Sequence, residues 1–146
     1  MNKMFKLKNF NVKKFYYIFF MSRKNLNEIK KLGHTIGLHS HSHPYLLEKL
    51  TYNDQLKEYE TSLNDLSEVL GVDKTEIKTM SHPSGSYNQN TLKILSNMGI
   101  ELGFKQIMTI EKEKGMKKIN NSSLEIARND HISIMNIINS NKLKNP

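Results

Sequence analysis

Residues 33–44 read Gly-His-Thr-Ile-Gly-Leu-His-Ser-His-Ser-His-Pro and contain four of the six histidines of the chain. Within them, His39 and His43 follow the spacing H-x-x-x-H. Imidazole is the commonest metal-binding side chain near neutral pH, because much of it is uncharged there. Two imidazoles this close in sequence bind one Zn²⁺, Co²⁺ or Fe²⁺ when the turn between them folds back. A histidine at a strand end is as often a hydrogen-bonded loop residue, so the pair taken alone leaves both interpretations open.

Strand and helix patterns alternate on both sides of this stretch. Short apolar runs predict strands, and apolar residues that recur every three or four positions predict amphipathic helices. The predicted strands are residues 14–20, 35–39, 77–80, 102–104 and 124–127, the predicted helices are residues 25–32, 51–70 and 90–98, and residues 132–138 are a helix or a strand. The alternation predicts an α/β fold with a parallel sheet or barrel. It also puts His39 at the carboxyl end of a strand, where such folds place active sites.

The predicted helices carry capping signals at both ends. A polar N-cap side chain satisfies free backbone N–H groups, and a glycine tolerates the left-handed conformation in which many helices end. The expected N-caps are Asn25, Thr51 and Asn90, and the expected terminating glycines are Gly33, Gly71 and Gly99.

The composition fits one domain with a basic surface. The chain has 146 residues, no cysteine and a formal net charge of +8. The absence of cysteine excludes a disulfide framework and a thiolate zinc finger. No run of lysine and arginine interleaves with stacking aromatics, so we expect no specific nucleic-acid site and interpret the excess lysine as a solvated surface.

The apolar run at residues 15–20 is too short to span a membrane, because a spanning helix needs about 20 residues. The lysines before it imitate the start of a secretory signal, but no A-x-A-like cleavage site follows. We therefore expect a buried strand there, preceded by a basic arm over residues 1–13. No cellular location is assigned.

Residues 33–44 and three later segments resemble successive signatures of one known family. Residues 82–88 read His-Pro-Ser-Gly-Ser-Tyr-Asn, residues 90–104 have a helix-then-strand pattern, and residues 124–128 read Leu-Glu-Ile-Ala-Arg. They resemble the third signature (P-Y-G-x-Y-N), the following helix and strand, and the L-P-R segment of the polysaccharide deacetylases, the NodB homology or carbohydrate esterase 4 family. Residues 33–44 resemble the second signature, G-H-E-I-G-x-H-[ST]-x-x-H-P. The resemblance covers residues 14–138.

The resemblance implies a distorted (β/α) barrel and a metal-dependent hydrolase. Members of the family remove acetyl groups from N-acetylated sugar polymers, and they usually work outside the cytoplasm. By resemblance, His39 and His43 bind a divalent metal, with Zn²⁺ the first expectation and Co²⁺ or another ion the alternative. An N-acetylated polysaccharide or oligosaccharide is then the expected partner.

The third signature and the L-P-R segment imply further roles by the same resemblance. The backbone N–H of Ser84 stands where the family places its oxyanion-hole donor. Pro83 and Gly85 set that turn and, with Tyr87, form the substrate-binding part. Arg128 holds and orients the catalytic carboxylate.

One family signature has no counterpart. The first signature, T-F-D-D-G, supplies the general base and a third metal ligand as two aspartates, but this chain has no aspartate before Asp54. The general base is therefore not found, and Asp130 is the only aspartate near another matched residue. Candidates for the general acid are His41, His82 and His131.

These departures predict a deacetylase domain over residues 14–146 that is incomplete at its N-terminus and lacks the first barrel strand. A missing strand leaves a neighbouring edge open to self-association. Loss of a general base costs on the order of 100-fold in rate, so we expect an impaired deacetylase. The alternatives are a non-catalytic carbohydrate-binding remnant or gene fragment of such an enzyme and, less favoured, a nonspecific nucleic-acid binder.

Overall fold

The computed structural model describes residues 11–105, 122–128 and 131–142. This part of the chain contains five α-helices and two β-strands. The helices are α1 (Val12–Phe19), α2 (Arg23–Lys31), α3 (Tyr52–Leu70), α4 (Gln89–Asn97) and α5 (His131–Lys142), and the strands are β1 (Thr79–Ser81) and β2 (Leu102–Phe104). Short 3₁₀ turns lie at Leu47–Lys49, Lys74–Glu76 and Pro83–Gly85. Nearly all of the predicted basic arm lies outside the described residues, as does Asp130.

The strands form a short parallel ladder. β1 pairs with β2 in parallel, with Met80 opposite Gly103. Isolated parallel bridges join Leu38 to Met80 on one side and Phe104 to Ile126 on the other. Four segments therefore lie side by side in chain order, which confirms the predicted parallel α/β arrangement.

The structure supports the predicted barrel less well than the predicted parallel order of the strands. Where strands were predicted over residues 35–39 and 124–127, the described residues contain only the single bridges at Leu38 and Ile126. The described segments form an open ladder of four and not a closed barrel. Self-association through a ladder edge stays a prediction.

The predicted strand over residues 14–20 is wrong, because this segment lies in α1 and the residues that follow it. The Asn11 side chain accepts a hydrogen bond from the Lys14 N–H at 2.9 Å and caps the helix. Aromatic rings pair four residues apart, with centroid distances of 4.4 Å for Phe15 and Phe19 and 5.0 Å for Tyr16 and Phe20. Such pairs stabilise one face of a helix. A short apolar run has no periodicity that separates a strand from a helix.

The helix N-termini follow the capping signals with small shifts. Thr51 is the N-cap of α3, as predicted. The N-cap of α2 is Ser22 and not Asn25, because the Ser22 hydroxyl accepts from the Asn25 N–H at 3.2 Å, while the Asn25 side chain accepts in return from the Ser22 N–H at 2.9 Å. The N-cap of α4 is Asn88 and not Asn90. The predicted terminating glycines all have positive φ, which is +88° at Gly33, +59° at Gly71 and +77° at Gly99.

The core lies between the ladder, α3 and α4. Its buried members are Leu38, Leu47, Tyr59, Leu63, Ile77, Met80, Ile94, Leu95, Ile100 and Leu124. Two glycines allow the ladder segments to approach closely. A Cβ on Gly37 would lie 2.5 Å from Thr79 Oγ1, and a Cβ on Gly103 would lie 2.5 Å from the Leu124 carbonyl oxygen. The segment that leads to His39 is therefore held tightly against β1.

α1 and α5 leave much of their apolar surface exposed. On α1, Ile18 and Phe19 are 65% and 67% exposed, and on α5 Ile132 is 58% exposed. No helix in the described part of the chain is long and apolar enough to cross a membrane.

Candidate metal site and its surroundings

His39 lies at the carboxyl end of the segment that bridges to β1. The Leu38 N–H donates to the Thr79 carbonyl and the Ser81 N–H donates to the Leu38 carbonyl, both at 2.9 Å. The His39 Nδ1 lies 2.8 Å from the Ser81 carbonyl oxygen. A carbonyl only accepts, so this contact requires the proton on Nδ1, and Ser81 Oγ, 3.0 Å from the same nitrogen, then accepts as well. In this tautomer of the neutral ring the lone pair is on Nε2. Metal-ligating histidines are oriented by such contacts.

The His43 ring lies beside the His39 ring. Their centroids are 4.9 Å apart with an angle of 57° between the planes, and both residues are exposed. The turn between them is strained at both ends, with φ of +60° at Ser40 and +54° at His43. The left-handed conformation costs about 1–2 kcal/mol for a residue with a Cβ. The His43 N–H donates to Ser40 Oγ at 3.2 Å. The turn thus folds back, as metal binding by the pair requires.

Glu58 on α3 contacts the middle of this turn. Its Oε2 accepts from the backbone N–H of His41 at 3.1 Å and of Ser42 at 2.8 Å, and its Oε1 accepts from the Ser42 hydroxyl at 2.8 Å. Partial burial raises the pKa of Glu58, but the hydrogen bonds from Ser42 and His41 together outweigh it and keep the pKa below its ordinary value. Glu58 is therefore ionised at neutral pH. Sequence reasoning did not single out this residue.

The candidate general acids have other partners or lie elsewhere. His41 Nδ1 lies 3.2 Å from Asp65 Oδ2. His82 is only 2% exposed, and its Nε2 lies 2.8 Å from the Leu124 carbonyl oxygen. Burial lowers the pKa of His82, so its ring is neutral. His131 is exposed at the start of α5.

A third protein ligand is not found beside the pair. In residues 11–105, 122–128 and 131–142, no group of three or more His, Asp or Glu side chains is arranged to hold a metal ion. Asp65 contacts His41, and Asp130 lies outside the described residues. The donor set that the described residues supply at this edge is therefore two imidazoles, which fits part of a zinc or cobalt coordination sphere.

The Pro83–Gly85 turn follows β1 after one residue, His82. The Gly85 N–H donates to the His82 carbonyl at 3.1 Å, and the Ser86 N–H donates to the Pro83 carbonyl at 2.9 Å. Ser84 has φ of +53° and is exposed, whereas Pro83 is buried. Ser84 therefore lies at the surface, three residues after the Ser81 carbonyl that contacts His39.

Tyr87 ties this turn to the segment 122–128. Its ring stacks on His82 with a centroid distance of 4.2 Å and a plane angle of 22°. Its hydroxyl donates to Glu125 Oε1 at 2.9 Å. Burial and the Glu125 carboxylate raise the pKa of Tyr87 to about 12. Arg128 is exposed, and no ion pair joins it to a carboxylate in the described part of the chain.

The sequence profile of the polysaccharide deacetylase family matches residues 4–103. The chain belongs to the polysaccharide deacetylase family. No curated protein matches the sequence. The family match confirms the resemblance drawn from residues 33–44 and 82–88.

Solved structures of deacetylases share the fold. The Streptococcus pyogenes deacetylase PplD, in complex with acetate, has a TM-score of 0.62 and 24% identity, covering 82% of this chain and 50% of that one. The BpsB deacetylase domain from Bordetella bronchiseptica has a TM-score of 0.59 and 18% identity, covering 75% and 48%. IcaB from Ammonifex degensii has a TM-score of 0.50 and 22% identity, covering 57% and 39%. This chain therefore spans half the length of the PplD structure and less than half the length of the BpsB and IcaB structures.

Proposed function

We propose that this chain is a metal-dependent polysaccharide deacetylase domain that removes acetyl groups from N-acetylated sugar polymers. One observation carries the proposal beyond family membership. His39 and His43 meet at the carboxyl edge of the parallel ladder, with the Nδ1 of His39 bonded to the Ser81 carbonyl and its Nε2 free. That arrangement suits a ligand pair and has no evident purpose in packing, because both residues are exposed.

The residues of this edge have distinct roles in the proposal. His39 and His43 would hold a divalent ion, Zn²⁺ first and Co²⁺ next, which would polarise the acetyl carbonyl as a Lewis acid and lower the pKa of a bound water. The Ser81 carbonyl orients the His39 ring through its Nδ1. The backbone N–H of Ser84, an exposed residue, donates to the developing oxyanion.

The remaining predicted site residues have supporting roles in this proposal. Pro83 and Gly85 set the Ser84 turn. Tyr87, whose pKa is raised to about 12, stays protonated and holds Glu125 in place instead of exchanging a proton. Arg128 orients a carboxylate that the described residues do not supply.

A second candidate is a non-catalytic carbohydrate-binding domain of the same fold. It is favoured by the donor set, since the described residues offer no group of three ligands and no aspartate precedes Asp54 in the sequence. Catalytic zinc sites have three protein ligands and an open position. General base catalysis contributes about 100-fold or more. We therefore propose that turnover by these 146 residues alone is low.

Metal titration of the purified chain tests the site. Calorimetry with Zn²⁺ and Co²⁺ is expected to show one site per chain that disappears in the His39→Ala, His43→Ala double variant. The matched control is His34→Ala, an exposed histidine outside the pair. Unchanged metal affinity in the double variant would contradict the site assignment.

Acetate release separates the two candidate functions. The chain is incubated with an N-acetylglucosamine oligomer and excess Zn²⁺ or Co²⁺, and free acetate is measured. Slow, metal-dependent release that is lost in the double variant supports the deacetylase. Oligomer binding without any release supports the non-catalytic alternative.

A further inference from the structure

Glu58 has no part in the proposed chemistry, yet both of its oxygens bind the segment that joins the two candidate ligands. The successive N–H groups of His41 and Ser42 converge on Oε2 at 3.1 and 2.8 Å, and the Ser42 hydroxyl bonds Oε1 at 2.8 Å. Consecutive backbone N–H groups of a turn form an anion-binding concavity. Hydrogen bonds to an ionised carboxylate are stronger than those between neutral groups. Three such bonds make Glu58 the main contact between α3 and this turn.

The turn has little else to hold its shape. Ser40 and His43 both have positive φ, a conformation that persists only where surrounding structure imposes it. Besides Glu58, the described residues support the turn by the bond from the His43 N–H to Ser40 Oγ at 3.2 Å and by the exposed contact of His41 Nδ1 with Asp65 Oδ2 on α3 at 3.2 Å. Residues 41–43 are exposed, so side-chain packing contributes little. The relative position of the two rings therefore depends on contacts made to the backbone between them.

α3 is a rigid support for such a contact. Glu58 lies in the interior of this 19-residue helix, next to Tyr59, which is 0% exposed in the core. The buried ring fixes the rotation of the helix, and the helix fixes the direction of the Glu58 side chain. A site is most precise when its supporting residues stand on packed helices or strands.

We infer that Glu58 is a positioning residue, which holds the turn between His39 and His43 in the conformation that brings the two imidazoles together. It acts through the backbone of His41 and Ser42. The inference rests on the proposed function, since the two imidazoles need to be held together only if they bind a metal ion. The geometry of the turn can be measured without metal.

Three variants test the inference in the full chain. Glu58→Ala removes all three acceptor contacts, and Glu58→Gln keeps the size of the side chain and one acceptor oxygen but not the charge. Glu60→Ala is the matched control, since Glu60 is exposed on the same helix. Circular dichroism and thermal unfolding report whether each variant is folded.

Nuclear magnetic resonance of the metal-free chain gives the decisive readout. In the wild type we expect ring-to-ring contacts between His39 and His43 and slow exchange of the His41 and Ser42 amides. In Glu58→Ala the ring contacts are lost, amide exchange rises at least tenfold, and affinity for Co²⁺ falls about tenfold, the usual cost of removing an outer support of a metal ligand. Glu58→Gln is intermediate, and Glu60→Ala matches the wild type.

The outcomes separate this inference from the proposed function. Unchanged ring contacts and amide exchange in folded Glu58→Ala would overturn the role of Glu58. Metal binding that does not depend on His39 and His43 would instead overturn the proposed function, and the exchange data would still decide the role of Glu58. If Glu58→Ala does not fold, Glu58→Gln supplies the same comparison at constant size.

Discussion

Two histidine-containing turns lie at the same edge of the parallel ladder and use their imidazoles in opposite ways. The first turn leaves His39 and His43 exposed, with ring centroids 4.9 Å apart. The second turn buries His82, which stacks on Tyr87 and bonds the Leu124 carbonyl. Both turns contain non-glycine residues with positive φ. The two turns therefore have similar backbone conformations. The imidazoles differ in their exposure because different residues surround each ring.

The contrast teaches that a position at the edge does not by itself make a histidine available for chemistry. His39 has one nitrogen bonded to a carbonyl and the other free, so it is oriented and still able to bind a ligand. For His82, desolvation lowers the pKa, and the bond to Leu124 ties segment 122–128 to the end of β1. The first ring is suited to binding and the second to stability.

The largest expected effect is on stability, in His82→Ala. The change leaves a cavity beside Tyr87 and an unpaired Leu124 carbonyl, so the free energy of unfolding falls by about 3 kcal/mol. His39→Ala, at an exposed site and without metal, changes it by no more than about 0.5 kcal/mol. Urea unfolding followed by circular dichroism measures both. Equal losses in the two variants would break the contrast between the turns.

The next effect is steric, in Gly103→Ala. The new Cβ would lie 2.5 Å from the Leu124 carbonyl oxygen, which is also the acceptor for His82. Overpacking of this kind costs about 1–3 kcal/mol, and we expect the upper half of that range. Gly99→Ala is the control, because Gly99 has positive φ but open space around it and should lose only about 1 kcal/mol. A smaller loss in Gly103→Ala than in Gly99→Ala would contradict the close approach.

A smaller effect is the response of stability to pH. Burial depresses the pKa of His82 below its ordinary value of 6.5, so below that pH the unfolded chain binds more protons than the folded one. The stabilisation present above pH 6.5 is therefore lost as the pH falls through the pKa of the folded state. His82→Phe, which keeps an aromatic ring but cannot titrate, should show a weaker loss of unfolding free energy between pH 7 and 5. The same slope in both proteins would show that His82 is not responsible.

The smallest expected effect on stability comes from replacing a strained residue by glycine in each of the two turns. The two replacements separate backbone strain from function. Ser84→Gly relieves the positive φ of +53° and keeps the backbone N–H. We expect a gain of about 0.5 kcal/mol in the free energy of unfolding, since the relief slightly exceeds the entropy cost of glycine, and unchanged metal affinity. His43→Gly relieves similar strain but should abolish metal binding. Thermal unfolding and metal titration of both variants measure the difference, and a Ser84→Gly variant that loses stability would show that this turn is not strained.

The sequence predicted best what depends on neighbours along the chain. The 19-residue helix α3 was found from its apolar spacing, with Thr51 and Gly71 as its ends. The run at residues 14–20 was misassigned because its length fits a strand and its aromatic spacing fits a helix. Glu58 was missed because its sequence context is weak evidence for a role. It is one carboxylate at the border of the apolar stripe, next to Tyr59.

By itself, the sequence determined the family, the spacing of His39 and His43 and the parallel order of the elements, because motifs, caps and periodicity are local properties. Only the tertiary structure decided which imidazoles are free. The contacts of His39 with Ser81 and of His82 with Leu124 each join residues 42 positions apart, and Glu58 reaches back 16 positions to Ser42. Burial and hydrogen bonding at such distances depend on how the elements pack, which no local pattern records.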